Sequence, residues 1–111
     1  MTKATQKNSA AYLQMYRQMV KIRVFEDNAN ELYLTAKMPG LTHMYSGQEA
    51  IAVGICEALK TRDKITSTHR GHGHCVAKGA HFKQMFCERH SGTDLRSRKD
   101  VVTDTGSGTI K

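Results

Sequence analysis

The residues best suited to bind a ligand or to do chemistry lie in one short segment, residues 67–79. It carries an arginine, three histidines and closely spaced glycines. Arg70 is followed by Gly71 and Gly73, and the β-branched pair Ile65–Thr66 precedes it. Where a strand passes through glycine-rich chain into a helix, free backbone N–H groups and the helix dipole both favour an anion. An arginine can also donate to two phosphate oxygens at once. The segment therefore predicts a phosphate or diphosphate held near Arg70.

Two other interpretations of the segment stay open. The glycine spacing fits neither a nucleotide-binding P-loop nor a dinucleotide fingerprint, so a surface turn that happens to be rich in histidine is the simplest alternative. A metal site is the second alternative, because zinc prefers imidazole and thiolate ligands. Its candidate ligands are His69, His72, His74 and Cys75. Ligands on a strand-to-helix turn diverge, and no second ligand pair lies at a zinc-finger distance, so we expect no metal.

Composition limits the classes of protein that the chain can represent. Its 111 residues suffice for one small domain. The balance of 17 Lys+Arg against 10 Asp+Glu gives a net charge of +7, which suits an anionic ligand. No block of like charge stands out, as it would in a typical nucleic-acid binder. Trp is absent, and aromatic residues do not alternate with basic ones as they do in single-strand binders. We expect no nucleic-acid partner.

The cysteines and the first residues predict a cytoplasmic protein. Cys56, Cys75 and Cys87 are an odd number at wide spacing, which favours reduced thiols. Residues 1–8 are polar, lack the features of a targeting peptide, and are predicted to be a flexible N-terminus. No run approaches the roughly 18 apolar residues that a membrane span needs, so we also expect no membrane partner.

The elements that must position the segment begin with one long helix, predicted over Ser9 to about Ala36. Apolar residues recur there at steps of three and four, which predicts a buried face. These residues are Tyr12, Met15, Tyr16, Met19, Ile22, Phe25, Ala29, Leu32 and Tyr33. Arg23 and Glu26 are three residues apart and are predicted to pair on the surface. Pro39–Gly40 is expected to end the helical segment.

A second helix is predicted from the run Ser46–Glu49, which fits a capping box. In that motif the serine hydroxyl accepts from the glutamate amide, and the glutamate side chain reaches back. The following body, Ala50–Leu59, is apolar nearly all round, so it is expected to be buried on several sides. So apolar a helix predicts that a partner surface covers part of it.

The remaining chain is predicted to contain one strand and two short helices. The strand is Ile65–Ser67, and the helices are His74–Ala77, which Gly79 ends, and His81–Glu88. Residues 91–111 are rich in Ser, Thr, Gly, Asp and Arg, with no apolar period. Such a composition is typical of disorder.

Five ordered segments carry a resemblance to a known family. They are Ile22–Glu26, Pro39–Gly40 with His43, Gly47–Ala50, Asp63–Ile65 and His69–Gly73. The stretch from Met19 to Phe86 thereby resembles the start of the alpha subunit of the thiamine-diphosphate-dependent first component of 2-oxo acid dehydrogenase complexes. Within that group of pyruvate and acetoin dehydrogenases, residues 68–74 are more similar to the acetoin branch.

The resemblance implies an α/β fold class. The chain would be a fragment of a thiamine-diphosphate-binding fold, mostly helical, with one short strand and a disordered C-terminal tail. Residues 9–88 would form the N-terminal part of the alpha-subunit domain, and residues 89–111 would be a divergent tail.

The resemblance also implies site residues. The position matched by Arg70 contacts the cofactor diphosphate in the family, and the position of His69 lines the same site. The adjoining Gly71, His72 and Gly73 are included among the cofactor-binding residues, and no catalytic residue is assigned. For His43, His72 and His74 we favour a structural role, in which the rings form hydrogen bonds around the turn.

The activity that the resemblance implies is that of an oxidoreductase subunit. With thiamine diphosphate and magnesium, such a subunit acts on a pyruvate-like 2-oxo acid or on acetoin and passes an acyl group to a lipoyl-bearing acyltransferase. A beta subunit completes the site. The family's magnesium motif would follow the last residue of this chain, so the chain alone is expected to be inactive. The alternative is a non-catalytic interaction fragment, or an inert fragment of a truncated gene.

Overall fold

A computed structural model describes residues 3–38, 43–91 and 108–110 of the chain, and it describes side chains for residues 8–38 and 43–87. Most of this part is helical, as predicted. In chain order the elements are α1 (Lys3–Leu34), α2 (Glu49–Glu57), β1 (Ile65–Ser67), α3 (Gly71–Ala77), α4 (Phe82–Ser91) and β2 (Gly108–Ile110).

Helix α1 starts earlier than predicted and ends by a different device. After Leu34 the chain turns at Ala36, which has a φ of 55°. The Lys37 N–H donates to Leu32 O at 2.9 Å, and the Ala36 N–H donates to Tyr33 O at 3.0 Å. This is the Schellman pattern, here with alanine at the left-handed position that glycine usually occupies. Pro39–Gly40, which was expected to end the segment, lies outside the described residues.

The core forms where one face of α1 meets the later helices. Ile22, Phe25 and Ala29 are almost completely buried there. The other buried apolar residues come from the chain between α1 and α2 and from α2, α3 and α4: Met38, Tyr45, Ala52, Val53, Cys75, Val76 and Met85. The predicted stripe is therefore buried in its middle, but Tyr12 and Tyr16 at its start are exposed. The helix extends beyond the elements that cover its centre.

The predicted capping box of α2 is wrong in its first half. The capping position is Gln48, and no side chain caps the helix there. Residues 45–48 form a turn in which the Gln48 N–H donates to Tyr45 O and Gly47 has a φ of 93°. This turn moves Ser46 away from the helix start. Only the glutamate half survives, because Glu49 Oε2 accepts from the Gly47 N–H at 2.9 Å.

Helix α2 buries one side and exposes the other. Ala52 and Val53 lie in the core, whereas Ile51 and Ile55 are more than half exposed. The described residues thus leave an apolar side of α2 uncovered, so the expected burial on several sides is not seen among them, and the partner surface stays a prediction.

Strand β1 has the predicted bounds and pairs with a second strand that was not predicted. Strands β1 and β2 are antiparallel, with Ile65 opposite Ile110 and Ser67 opposite Gly108. Thr109 and Ile110 are β-branched, which suits an added edge strand. The rest of the predicted tail, apart from the end of α4, lies outside the described residues.

Helix α3 begins at Gly71, three residues before the predicted start at His74, and α4 runs from Phe82 instead of His81. Gly79 ends α3 as predicted. It has a φ of 95°, and the following Ala80 N–H donates to Cys75 O at 3.0 Å. Across the described part of the chain, no helix is long and apolar enough to cross a membrane.

Candidate functional site

Two short segments lie against each other at the predicted site. We call residues 67–74 the Arg70 turn and residues 43–45 the facing segment. Each residue of the facing segment contacts a residue of the Arg70 turn, in the same chain order. The pairs are His43 with His69, Met44 with Arg70, and Tyr45 with His74. The contacts fix the two segments side by side.

Arg70 lies between β1 and α3, as the sequence predicted. It occupies the residue before the first turn of α3, with a φ of −103° and a ψ of 37°, and it is half-buried. One terminal nitrogen of its guanidinium donates to the backbone oxygen of Met44. A guanidinium carries five N–H groups, so this contact orients the side chain without using all of its donors.

Two imidazole rings lie next to Arg70 at the surface. His43 and His69 are both exposed, and their ring centroids are 4.7 Å apart at an interplanar angle of 80°. Such an edge-to-face arrangement is favourable for aromatic rings. The exposed face of the site is thus formed by two rings and a partly buried cation.

A second side of the Arg70 turn contains a partly buried hydrogen-bond chain. Ser67 Oγ lies 2.6 Å from His74 Nδ1, and His74 Nε2 lies 3.1 Å from Tyr45 Oη. Burial lowers the pKa of His74 and is the main cause that raises the pKa of Tyr45, because it disfavours the charged form of each. A neutral imidazole has one donor and one acceptor, so it can serve both neighbours. His74 thus forms hydrogen bonds within the turn, as the sequence predicted.

His72 faces away from this chain and toward α1. Its Nδ1 lies 3.3 Å from Oε1 of Glu26, whose side chain is completely buried. The ring of Phe25 meets the imidazole edge-on, with centroids 5.7 Å apart. Neighbouring residues of α1 therefore supply a carboxylate and an aromatic edge to one histidine.

The predicted surface pair between Arg23 and Glu26 is wrong. Arg23 Nε instead donates to Oε1 of Glu49, at the first residue of α2. This bond is the main cause that lowers the pKa of the Glu49 carboxyl and raises the pKa of Arg23. Both α1 residues lie near other helices, so each finds a partner across the packing interface instead of along its own helix.

The glycines of the Arg70 turn are needed for close packing. A Cβ built on Gly73 would lie 2.2 Å from Tyr45 Cδ1, and one on Gly71 would lie 3.1 Å from Ser67 Oγ. Neither glycine has a positive φ. The structure thus gives Gly73 a packing role, and contact with a diphosphate stays a prediction for both.

The structure does not assemble the alternative metal site. His69, His72 and His74 contact three different groups: His43, Glu26, and the Ser67–Tyr45 pair. Among residues 8–38 and 43–87, no group of three or more His, Cys, Asp or Glu side chains could hold a metal ion. Within the described residues, Cys56, Cys75 and Cys87 form no disulfide.

Sequence reasoning missed Glu26 and Tyr45 as parts of the site. Glu26 is four residues after Ile22, so the helical period itself places it on the buried face of α1. A carboxylate at a core position was therefore a signal available from the sequence. No comparable signal was available for Tyr45, whose contacts are with residues 28 and 29 positions later.

A comparison with protein families matches residues 17–108 to the family described as the dehydrogenase E1 component. The matched range continues past Phe86, where the motifs quoted above end. The chain is 53% identical over 76 residues to the alpha subunit of acetoin:2,6-dichlorophenolindophenol oxidoreductase from Bacillus subtilis, which covers 68% of this chain and 23% of that subunit.

Two further relatives show the same relationship. The corresponding subunit of Cupriavidus necator is 44% identical over 100 residues, which is 86% of this chain and 30% of the relative. The chloroplastic pyruvate dehydrogenase E1 component subunit alpha-3 of Oryza sativa subsp. japonica is 38% identical over 76 residues, 68% and 18% of the two chains. The chain thus spans less than a third of the length of these relatives. No solved structure matches it.

Proposed function

Because the chain belongs to the dehydrogenase E1 component family, we propose that it is part of an alpha subunit that acts with thiamine diphosphate on a 2-oxo acid or acetoin. The subunit would pass an acyl group to a lipoyl carrier. The names of the similar proteins, acetoin oxidoreductase and pyruvate dehydrogenase alpha subunits, support both substrate classes. The chain spans less than a third of the length of these relatives, so the proposal concerns only the part of the site that its residues form.

The observation that carries this proposal is the placement of Arg70. Its guanidinium lies at the junction of β1 and α3, oriented by Met44 O and beside the exposed rings of His43 and His69. A diphosphate carries two or more negative charges, and an arginine can donate to two phosphate oxygens. In this proposal Arg70 holds the diphosphate, His69 lines its site, and Gly71, His72 and Gly73 form the adjoining backbone.

Thiamine diphosphate supplies, when bound, a carbon nucleophile and a means of stabilising a carbanion next to a carbonyl carbon. The residues of the Arg70 turn contribute binding and orientation. His74 contributes no proton in this proposal, because both of its ring nitrogens are engaged by Ser67 and Tyr45. In this proposal the Arg70 turn binds the diphosphate end of the cofactor.

The described residues fit the diphosphate but offer no magnesium site. Magnesium prefers oxygen ligands in near-octahedral geometry. Within the described side chains there is no suitable cluster, and the Glu26 carboxylate, which contacts His72 of the turn, is completely buried. We therefore assign none of these residues to the metal.

The partners in this proposal are a beta subunit and a lipoyl-bearing acyltransferase. A hetero-oligomer is compatible with the exposed apolar side chains of Ile51 and Ile55 on α2. The proposal places the protein in a reducing, cytoplasm-like compartment, where cysteines stay reduced.

A titration followed by nuclear magnetic resonance tests the proposal on the full chain. Inorganic pyrophosphate and thiamine diphosphate should each shift the signals of His69 and Arg70 at millimolar concentration, with or without magnesium. Arg70→Ala should abolish the response, and Arg62→Ala, which changes an exposed arginine outside the site, should retain it. An equal response in the Arg70→Ala variant would contradict the assignment. So would tight binding that depends on magnesium.

The same substitution has a second expected effect in an assembly with a beta subunit. There Arg70→Ala should weaken thiamine diphosphate by about 1.5–3 kcal/mol, the range for a hydrogen bond to a charged group. An unchanged affinity for the cofactor would contradict the assignment of Arg70 to the diphosphate site.

A non-catalytic interaction fragment is the second candidate function. The exposed Tyr12, Tyr16 and Leu34 of α1, together with the exposed side of α2, favour it. Self-association in light scattering, with no response to either phosphate compound, would support this candidate over the first.

A further inference from the structure

We propose that Glu26 is a positioning residue for the Arg70 turn: its buried carboxylate holds His72, and His72 sets the orientation of the backbone that carries His69 and Arg70. The importance of this role for activity rests on the proposed function, in which Arg70 binds the diphosphate. The structural role itself can be tested without any ligand.

The burial of Glu26 is the first observation. Its side chain is completely buried, and within the described residues neither of its carboxylate oxygens accepts a hydrogen bond. The Nδ1 atom of His72 lies 3.3 Å from its Oε1, the closest approach of a polar group that the structure gives this carboxylate. A buried carboxylate is costly even when it is paired, and apolar residues of similar volume often stabilise a fold more. Stability alone therefore does not explain a glutamate at this position.

The place of His72 in the chain is the second observation. It is the second residue of α3 and is two residues from Arg70. The imidazole is held on two sides by α1, by the Glu26 carboxylate and by the edge of Phe25. Phe25 in turn packs on Phe82 and Phe86 of α4, with ring centroids 5.4 and 4.6 Å apart. The imidazole of His72 thus contacts an aromatic cluster that packs with the core.

The arrangement of contacts around the turn is the third observation. Its far side is fixed by the Ser67–His74–Tyr45 chain, and its exposed side by Met44 O. The contact of His72 with Glu26 joins the start of α3 to α1. Without it, α3 could rotate about the His74 contacts, and the Arg70 guanidinium would move relative to the facing segment.

The experiment compares Glu26→Gln and Glu26→Met with the wild-type chain and with Glu31→Gln. Gln keeps the shape and removes the charge, Met removes the polar group, and Glu31 is an exposed glutamate of the same helix. Nuclear magnetic resonance reports the ring nitrogens of His72, the Nε–H of Arg70 and the contact between the His43 and His69 rings. Circular dichroism and the melting temperature report the fold.

The proposal predicts that both Glu26 variants keep the helical signal yet shift the Arg70 and His69 signals and weaken the ring contact. Pyrophosphate affinity should fall about tenfold, the loss of roughly one charge-assisted hydrogen bond. Glu31→Gln should change none of these. If the variants shift only His72, and Arg70 and His69 stay in place, Glu26 is a packing residue and the proposal is overturned.

Two further outcomes separate this proposal from the proposed function. If the wild-type chain does not respond to pyrophosphate but the Glu26 variants still displace Arg70 and His69, the positioning role is supported and the diphosphate assignment fails. If neither Glu26 variant folds, the residue supports the whole fold instead of this turn, which overturns the positioning role.

Discussion

The ring of Tyr45 lies against the backbone of Gly73, where a Cβ would meet Tyr45 Cδ1 at 2.2 Å. The same ring is 2% exposed, and its Oη reaches His74 Nε2 at 3.1 Å. The hydroxyl end is therefore tied to α3 by a hydrogen bond, while the ring carbons are in contact with the helix backbone. Because the ring cannot withdraw without breaking that bond, position 73 has no room for a side chain.

Gly73→Ala should consequently destabilise the fold by about 1–3 kcal/mol, the usual cost of overpacking a core. Gly54→Ala is the matched control, since Gly54 lies within α2 and a Cβ there meets nothing within 4 Å. This control should stabilise the chain by about 0.5–1 kcal/mol, because alanine is the better helix former. Urea denaturation measures both, and equal effects of the two substitutions would contradict the packing role of Gly73.

The lowered pKa of His74 predicts a stability that depends on pH. Burial disfavours the charged imidazole, so the unfolded chain takes up a proton at its ordinary pKa of 6.5 while the folded chain resists protonation. Stability is therefore full above pH 6.5 and falls as the pH drops from there toward the lower folded-state pKa. His74→Gln, which cannot titrate, should flatten this part of the profile.

The measurement is the free energy of unfolding from about pH 8 to about pH 5, the range in which histidine titrates. His81→Gln, which replaces an exposed histidine outside the turn, should leave the profile close to that of the wild-type chain. If His74→Gln and the wild-type chain lose stability in parallel, burial of a neutral His74 is not the cause.

Local sequence patterns predicted the helices and the strand that carry the site, but they did not predict the contacts between distant segments. The strand Ile65–Ser67, the end of α3 at Gly79 and the junction position of Arg70 all depend on neighbouring residues, and all three are confirmed. Strand β2 depends on pairing with a segment more than 40 positions earlier, for which the sequence carries no local signal.

His72 and His74 show why the spacing of residues in the sequence did not predict the contacts of the site. His72 and His74 are two residues apart on α3, so about 200° of helical rotation separates their side chains. One consequently meets Glu26 on α1, and the other meets Ser67 and Tyr45. Proximity in sequence raised a shared metal only as an alternative, and the helical turn sends the rings to different neighbours.

The left-handed conformation of Ala36 offers a simple test of how α1 ends. With a φ of 55°, this residue adopts a conformation that costs an L-residue roughly 1–2 kcal/mol. Ala36→Gly should therefore raise the free energy of unfolding by about 1 kcal/mol. Ala11→Gly, at an exposed position within the same helix, should lower it by about 0.5–1 kcal/mol. Chemical denaturation measures both free energies of unfolding. If both substitutions change the free energy in the same direction, Ala36 does not carry the strain expected of a Schellman ending.

The pairing of Arg23 with Glu49 predicts a contribution to stability that acid removes. The Arg23 hydrogen bond is the main cause that lowers the pKa of the Glu49 carboxyl from its ordinary value of 4.5. The contribution is therefore fully present above pH 4.5 and is lost as the pH falls toward the lower folded-state pKa. Arg23→Gln should make the chain less stable near neutral pH, and this difference in stability from the wild-type chain should vanish in acid.

Arg17→Gln, an exposed substitution on the same helix, should show no such gap in stability. Acid titrations of the helical circular dichroism signal measure all three chains, and a gap between Arg23→Gln and wild type that persists in strong acid would show that packing of the arginine stem, not its charge, joins α1 to α2.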